Sequence, residues 1–92
     1  MADAENHHAL WAQRHAILGA CARAGARQLR IPAWAVEPGT WQEGPLPLVV
    51  DLAPGVTLFD HAALEIEITT LLGTRVHIIN AATRPPEGTV PF

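Results

Sequence analysis

The 92-residue sequence contains no lysine, no tyrosine and a single cysteine, Cys21. One cysteine excludes an internal disulfide and any zinc site built from several cysteines. The six basic residues are all arginines, and nine acidic residues outnumber them, which gives a net charge of −3. This balance argues against a nucleic-acid-binding protein, because such proteins need a clustered positive face.

Long apolar segments are also missing from the chain. No stretch reaches the roughly 18 uncharged apolar residues of a membrane-spanning helix, and the polar start over residues 1–8 does not resemble a signal peptide. We therefore expect a cytoplasmic protein with no membrane contact. Hydrophobic residues make up 49% of the chain and charged residues only 16%. That composition excludes a disordered chain and suggests apolar surface that meets a partner.

The first half of the chain predicts a helix, a short strand and a long loop. Apolar residues recur with helical spacing from about residue 9 to residue 24, and Gly25 stands where a helix-ending glycine belongs. Alternation over residues 28–31 is typical of a short strand, which Pro32 ends. Four prolines between residues 32 and 47 predict an irregular loop.

The second half predicts a strand, a helix and a strand. The apolar run over residues 48–52 is typical of a buried strand, and Thr57 can cap a helix that runs to Leu72 and stops at Gly73. A third strand follows over residues 75–80. We expect the helix to bury the apolar residues Phe59, Ala62, Ala63, Leu64, Ile66, Ile68 and Leu71.

These elements predict an α/β (α+β) fold in which a right-handed crossover makes the last two strands parallel. We expect a small sheet of three or more strands with helices packed on one face. The predicted organisation is a flexible N-terminus over residues 1–8, one domain over residues 9–80 and an irregular tail over residues 81–92.

One part of the sequence resembles a known family. The segments LVVDLAPGVTLFD (residues 48–60), LEIE (residues 64–67) and LLGTRV (residues 71–76) resemble the minimal nucleotidyltransferases of the DNA polymerase beta-like superfamily. The resemblance covers residues 9–80 and implies a nucleotidyltransferase-like sheet. It also implies a glycine–serine pair after the first strand, an Asp-x-Asp pair entering the second strand and a third carboxylate on the third strand. In the family these carboxylates hold magnesium ions that bridge nucleotide phosphates.

This chain departs from the family pattern at every one of those positions. The resemblance places Ala33 and Trp34 at the glycine–serine pair, Pro45 and Pro47 at the two aspartates, and His77 at the third carboxylate. Proline offers magnesium no oxygen ligand, and a single imidazole is a poor one. We therefore predict a pseudoenzyme with no catalytic residues, no metal and no cofactor.

The resemblance also implies protein partners. Bacterial minimal nucleotidyltransferases commonly pair with HEPN-class proteins in toxin–antitoxin systems, so the expected role is an antitoxin-like partner of a HEPN-type toxin. A structural subunit beside an active nucleotidyltransferase paralogue, in a homo- or hetero-oligomer, is equally compatible. Trp34 and Trp41 are the candidate partner-binding residues, because tryptophan buries a large area at interfaces. Alternatively, both rings fold back and fill the vacated pocket.

Other interpretations stay open at this point. The chain could bind or transfer nucleotides with a site rebuilt around Asp51 and His77, or it could be a remnant that keeps a fold without a function. Asp51 could instead face solvent or pair with an arginine, and His77 could be a packed or hydrogen-bonded histidine. Cys21 is expected in the core. A metal site is a further possibility for the five histidines, which are His7, His8, His15, His61 and His77.

Overall fold

The structure, a computed structural model, describes residues 2–83 and 87–92. Within these residues the chain forms the helices α1 (Ala2–Ala12), α2 (Arg14–Arg23), α3 (Ala33–Val36) and α4 (Leu58–Leu72). The strands are β1 (Ala26–Pro32), β2 (Leu46–Leu52), β3 (Val76–Asn80) and β4 (Thr89–Pro91). None of the described helices is long and apolar enough to cross a bilayer.

The four strands form one mixed sheet in the order β3-β2-β1-β4. β2 and β3 run parallel, with α4 as the connection between them, and β1 is antiparallel to both β2 and β4. The predicted fold class and the parallel pair are therefore confirmed. Alternate residues of β2, namely Leu46, Leu48 and Val50, have no exposed surface and belong to the core. Side chains of α1, α2 and α4 complete that core on the same face, including Leu10, Ile17 and Ile68.

Local signals at both ends of α4 act as the sequence predicts. The Thr57 hydroxyl accepts a hydrogen bond from the Asp60 amide at 3.1 Å, and the Asp60 carboxylate accepts one from the Thr57 amide at 3.0 Å. This capping box satisfies amides that the first turn leaves without partners. Gly73 ends the helix with a φ of 71°, a conformation that costs glycine little.

The burial predicted for α4 is wrong on one side of the helix. Leu64 and Ile68 are buried and Leu71 is half-buried, but Phe59 is 88% exposed, Ile66 is 68% exposed, and Ala62 and Ala63 are exposed as well. The reason is geometric, because the sheet and α2 cover one side of α4, whereas its apolar residues extend around more of its circumference. The apolar residues left outside are Leu58, Phe59, Ala62, Ala63 and Ile66, which we call the outer stripe of α4.

Three other segments differ from the sequence-based expectation. Residues 2–8 begin α1 instead of forming an irregular start, and the predicted first helix is divided at Gln13. β2 begins at Leu46, so Pro47 lies inside a strand, whereas the sequence predicts a loop up to residue 47. The tail contributes β4, in which Val90 pairs with Ile31 of β1. The prolines around β2 and β4 hid the regularity of these two strands, since proline supplies no backbone donor.

Candidate functional site

Pro47 and His77 lie next to each other in the sheet. They are register partners on the parallel strands β2 and β3, so their backbones are about 5 Å apart. Pro45 is exposed and immediately precedes β2, two residues before Pro47. The structure thus brings together the positions at which the family resemblance expects carboxylates.

A proline is tolerated at this point of β2 for a structural reason. The described pairing of β1 with β2 extends from Ala26 opposite Leu52 to Arg30 opposite Val49. Pro47 lies beyond this paired stretch, so its missing N–H does not interrupt the pairing of β1 with β2. The strand therefore keeps its course with proline at this position.

Trp34 and Trp41 pack against each other. Their ring centroids are 5.5 Å apart with an interplanar angle of 84°, an edge-to-face arrangement. Both residues are half-buried and contact the core cluster. The Thr40 hydroxyl lies 2.8 Å from two backbone acceptors, the carbonyl oxygens of Trp34 and Glu37, and so stabilises the segment between the two tryptophans. The two rings therefore fold back onto the domain while part of their surface remains accessible.

An open cavity of about 510 Å³ lies on the sheet face opposite the main core. Its lining is Pro32, Trp34, Pro47, Val49, Ile79, Glu87, Gly88 and Thr89, and we call it the sheet-face cavity. It brings Trp34 and Pro47 together, whereas Ala33 is held nearby by a hydrogen bond from its amide to the Gly88 carbonyl at 3.0 Å. Among these lining residues Glu87 carries the one carboxylate. Magnesium chemistry on phosphates uses several oxygen ligands, so this lining does not supply that donor set.

His77 lies in a different group of polar side chains at the outer edge of β3. Its Nδ1 is 3.4 Å from Oε2 of Glu65, and Nε2 of His61 is also 3.4 Å from that oxygen. The same carboxylate accepts a hydrogen bond from the Ile78 amide at 2.8 Å, and the His61 ring bonds the Ile78 carbonyl at 2.8 Å. His77 thus lies within ion-pair distance of a helix carboxylate, while its side chain is 63% exposed.

A third side chain extends this contact along the helix. The Val76 amide donates to the Thr69 hydroxyl at 3.0 Å, so His61, Glu65 and Thr69 of α4 all bond the backbone of β3. We call these three residues the polar edge of α4. The sequence shows their spacing of four residues, which places them on one face of the helix. It does not show that they bond the backbone of β3, because that depends on how α4 lies against the sheet.

An open cavity of about 570 Å³ lies beside this polar edge. Its lining is Leu52, Val56, Thr57, Leu58, His61, His77, Ile78, Ile79, Asn80 and Thr83. Within the described residues no group of three or more His, Cys, Asp or Glu side chains is arranged to hold a metal ion. The histidine metal site is therefore not formed there, and His7 is instead 3.3 Å from the Ala35 carbonyl oxygen.

Asp51 and His77 do not form one site. β2 and β3 pair Pro47 with His77 and Val50 with Asn80, so Asp51 lies four residues further along the sheet than His77. Four residues of strand span about 13 Å. Asp51 is half-buried, and its register partner on β1 is Arg27.

Cys21 is a core residue with an unreactive thiol. It is 3% exposed, and burial, together with the negative charge of Glu67, raises the pKa of its thiol from 9.0 to about 11. A thiol of this kind is protonated at neutral pH and is a poor nucleophile. The expected core position is confirmed.

A solved structure provides the comparison for this fold. It is described as a "putative minimal nucleotidyltransferase", and it matches with a TM-score of 0.79 and 31% sequence identity over 94% of this chain and 95% of that chain. No protein-family profile and no curated protein sequence matches the chain. Because the likeness in both sequence and fold extends over nearly the full length of both chains, this protein belongs to the minimal nucleotidyltransferase family.

Proposed function

We propose that this protein is a catalytically inactive nucleotidyltransferase-like domain that acts by binding other proteins. The observation that carries the proposal is the pairing of Pro47 with His77 on β2 and β3. At this place the family resemblance expects carboxylates, and neither side chain offers magnesium an oxygen ligand. Phosphoryl transfer depends mainly on electrostatic stabilisation, so loss of the metal ligands removes its principal source.

The residues near the expected phosphate path support the same conclusion. The resemblance expects a glycine–serine turn where Ala33 and Trp34 stand, and Trp34 lines the sheet-face cavity together with Pro47. An indole occupies volume that a small turn would leave open to phosphates. Asp51, the acid that the sequence offered as a rebuilt ligand, lies about 13 Å along the sheet from this position.

The partner that we propose is a protein. By family resemblance it would be a HEPN-type toxin, with this chain acting as its antitoxin, or an active nucleotidyltransferase paralogue in a hetero-oligomer. Exposed apolar surface supports a binding role, because Leu58 is 86% exposed and Phe59 88% exposed. Trp34 and Trp41 add a half-buried aromatic pair at a second place on the surface.

Calorimetry with ATP, GTP or CTP and magnesium or manganese tests the loss of catalysis. We expect no heat of binding. In a separate assay with labelled nucleotide, we expect no transfer of the label to protein or RNA. Micromolar binding by the unmodified chain would overturn the proposal and favour the nucleotide-binding alternative. A matched gain-of-function variant combines Pro45→Asp, Pro47→Asp and His77→Asp. If these are the family's ligand positions, the variant acquires magnesium-dependent nucleotide binding that the parent lacks.

Native mass spectrometry of the chain co-expressed with the protein encoded next to it tests the partner. We expect a stable heteromeric complex, and we expect Trp34→Ala with Trp41→Ala to weaken it if the aromatic pair forms the contact. Gln42→Ala is the matched control, since Gln42 is exposed and adjacent to Trp41. A chain that forms no complex with such partners would contradict the binding role.

A further inference from the structure

The outer stripe of α4 is an unusually exposed apolar surface. Leu58, Phe59 and Ile66 are 86%, 88% and 68% exposed, on the side of the helix that faces away from the sheet. The neighbouring charges already have local partners, because Glu67 pairs with Arg23 at 2.7 Å and Asp60 belongs to the capping box. The stripe therefore offers apolar side chains flanked by charges that are satisfied within the chain.

Four of the five residues of the stripe, all but Leu58, have a symmetric order of sizes. Phe59, Ala62, Ala63 and Ile66 are spaced by three, one and three residues, so they share one face of α4. From either end the order is large, small, small, large, with its midpoint between Ala62 and Ala63. A surface with this order is complementary to itself when it is turned by 180° about that midpoint.

We propose that the outer stripe is a dimerisation surface whose occupant is the same stripe of a second copy of this chain. In the dimer two α4 helices pack antiparallel across a two-fold axis. Ala62 and Ala63 of both copies meet at the crossing, where small side chains permit a close interaxial distance. Phe59 of each copy then lies against Ile66 of the other, so the two large-residue contacts are identical.

The accessible area sets the size class of this interface. Three large apolar side chains at these exposures present roughly 450 Å² per copy, or about 900 Å² in the pair. Stable interfaces bury about 1,200 Å² or more, so the stripe reaches the lower limit of that range only with its alanines and rim. We therefore expect a dimer that dissociates in the micromolar range. The inference concerns self-association, and it does not depend on the loss of catalysis or on a heterologous partner.

Sedimentation equilibrium of the full chain over a range of concentrations tests the proposal. We expect a monomer–dimer equilibrium that Ala62→Glu weakens about 100-fold or more, since the variant places two like charges at the two-fold axis. Ala22→Glu is the matched control, because Ala22 is an exposed alanine on α2. Circular dichroism melting of both variants shows that the exposed substitutions leave the domain folded.

Disulfide trapping tests the antiparallel arrangement. In the Ala62→Cys variant the two cysteines lie beside the axis, and mild oxidation should give a covalent dimer. In the Thr70→Cys variant the two cysteines are about 20 Å apart along the helices, too far for a bond. A Thr70→Cys disulfide would indicate parallel helices and overturn the proposed geometry.

Two further outcomes would overturn the dimer itself. The first is a chain that remains monomeric at about 1 mM, well above the micromolar range. The second is a dimer that is unaffected by Ala62→Glu, because it must use another surface. In both cases a heteromeric complex detected by native mass spectrometry would still leave the proposed function standing, so the two proposals fail separately.

Discussion

Successive residues of β2 point to two faces of the sheet with different surroundings. Leu48 and Val50 have no exposed surface and pack among the side chains of α2 and α4, whereas Pro47 and Val49 line the open sheet-face cavity. One strand thus contributes alternately to the core and to the surface where the family's chemistry is expected. The core face of β2 is enclosed by the helices, whereas its other face is bounded by an open cavity, so we expect substitutions on the cavity face to disturb the fold less.

The largest expected difference between the two faces concerns a matched pair of valines. Val50 and Val49 are adjacent, 0% and 4% exposed, and on opposite faces. Val50→Ala should lower the free energy of unfolding by about 2 to 3 kcal/mol, because it opens an enclosed cavity in the core. Val49→Ala should cost about 1 to 1.5 kcal/mol, since the cavity beside it is already open. Urea titrations of the two variants measure the difference, and equal losses would contradict the comparison.

A second prediction concerns the pH dependence of stability that the buried Cys21 thiol confers. Burial raises the pKa of the Cys21 thiol in the folded protein from its ordinary value of 9.0 to about 11. The folded state therefore holds this proton more tightly, and its contribution is complete below pH 9 and is lost as the pH rises towards 11. We expect the free energy of unfolding to fall by on the order of 2 kcal/mol over this range.

The composition of the chain makes that measurement specific. The sequence has neither lysine nor tyrosine, so Cys21 is the side chain that titrates between pH 9 and 11. Denaturant titrations at several pH values should show a slope in the parent chain and no slope in Cys21→Ala. A slope that persists in that variant would show that Cys21 is not its source.

A smaller loss of stability is expected where α4 contacts β3 at the edge of the sheet. Glu65→Ala removes the acceptor of the Ile78 amide and the carboxylate near His61 and His77. We expect a loss of about 1 to 2 kcal/mol, because a half-buried amide is left without its partner. Glu65→Gln keeps an acceptor oxygen and should recover much of that loss. Thermal melts of both variants test whether the hydrogen bond or the charge carries the contact.

The smallest effect belongs to His77. Its side chain is 63% exposed, and its contact with Glu65 is 3.4 Å. His77→Ala should change the free energy of unfolding by no more than about 0.5 kcal/mol, as is usual for an exposed pair. A much larger loss in a melting experiment would mean that the open face also maintains the fold.

The sequence was sufficient to predict the elements whose signals are local. Thr57, Asp60 and Gly73 define α4 through interactions within one or two turns, and the apolar run of β2 identifies a buried strand. The pairing of β4 with β1 joins residues about 60 positions apart. No local pattern encodes such a contact, and the prolines of the tail concealed the strand.

For the candidate site, the family resemblance led us to expect Pro47 and His77 at two related positions. The register of β2 and β3 makes them neighbours, and their part in a site stays a prediction. The contact of His77 with Glu65 was not predicted, because it depends on the placement of α4 against β3. The exposure of Phe59 and Ile66 was missed because periodicity shows that residues share a helix face but does not show whether anything covers it.

The polar edge of α4 has a consequence for how this sheet can be extended. Edge strands commonly recruit a further strand through their unpaired backbone groups. On β3, the amides of Val76 and Ile78 and the carbonyl of Ile78 are already bonded to Thr69, Glu65 and His61. A strand supplied by another chain would have to displace these side chains to join at β3. We therefore expect that any strand added to the described sheet would join at the opposite edge, β4, rather than at β3.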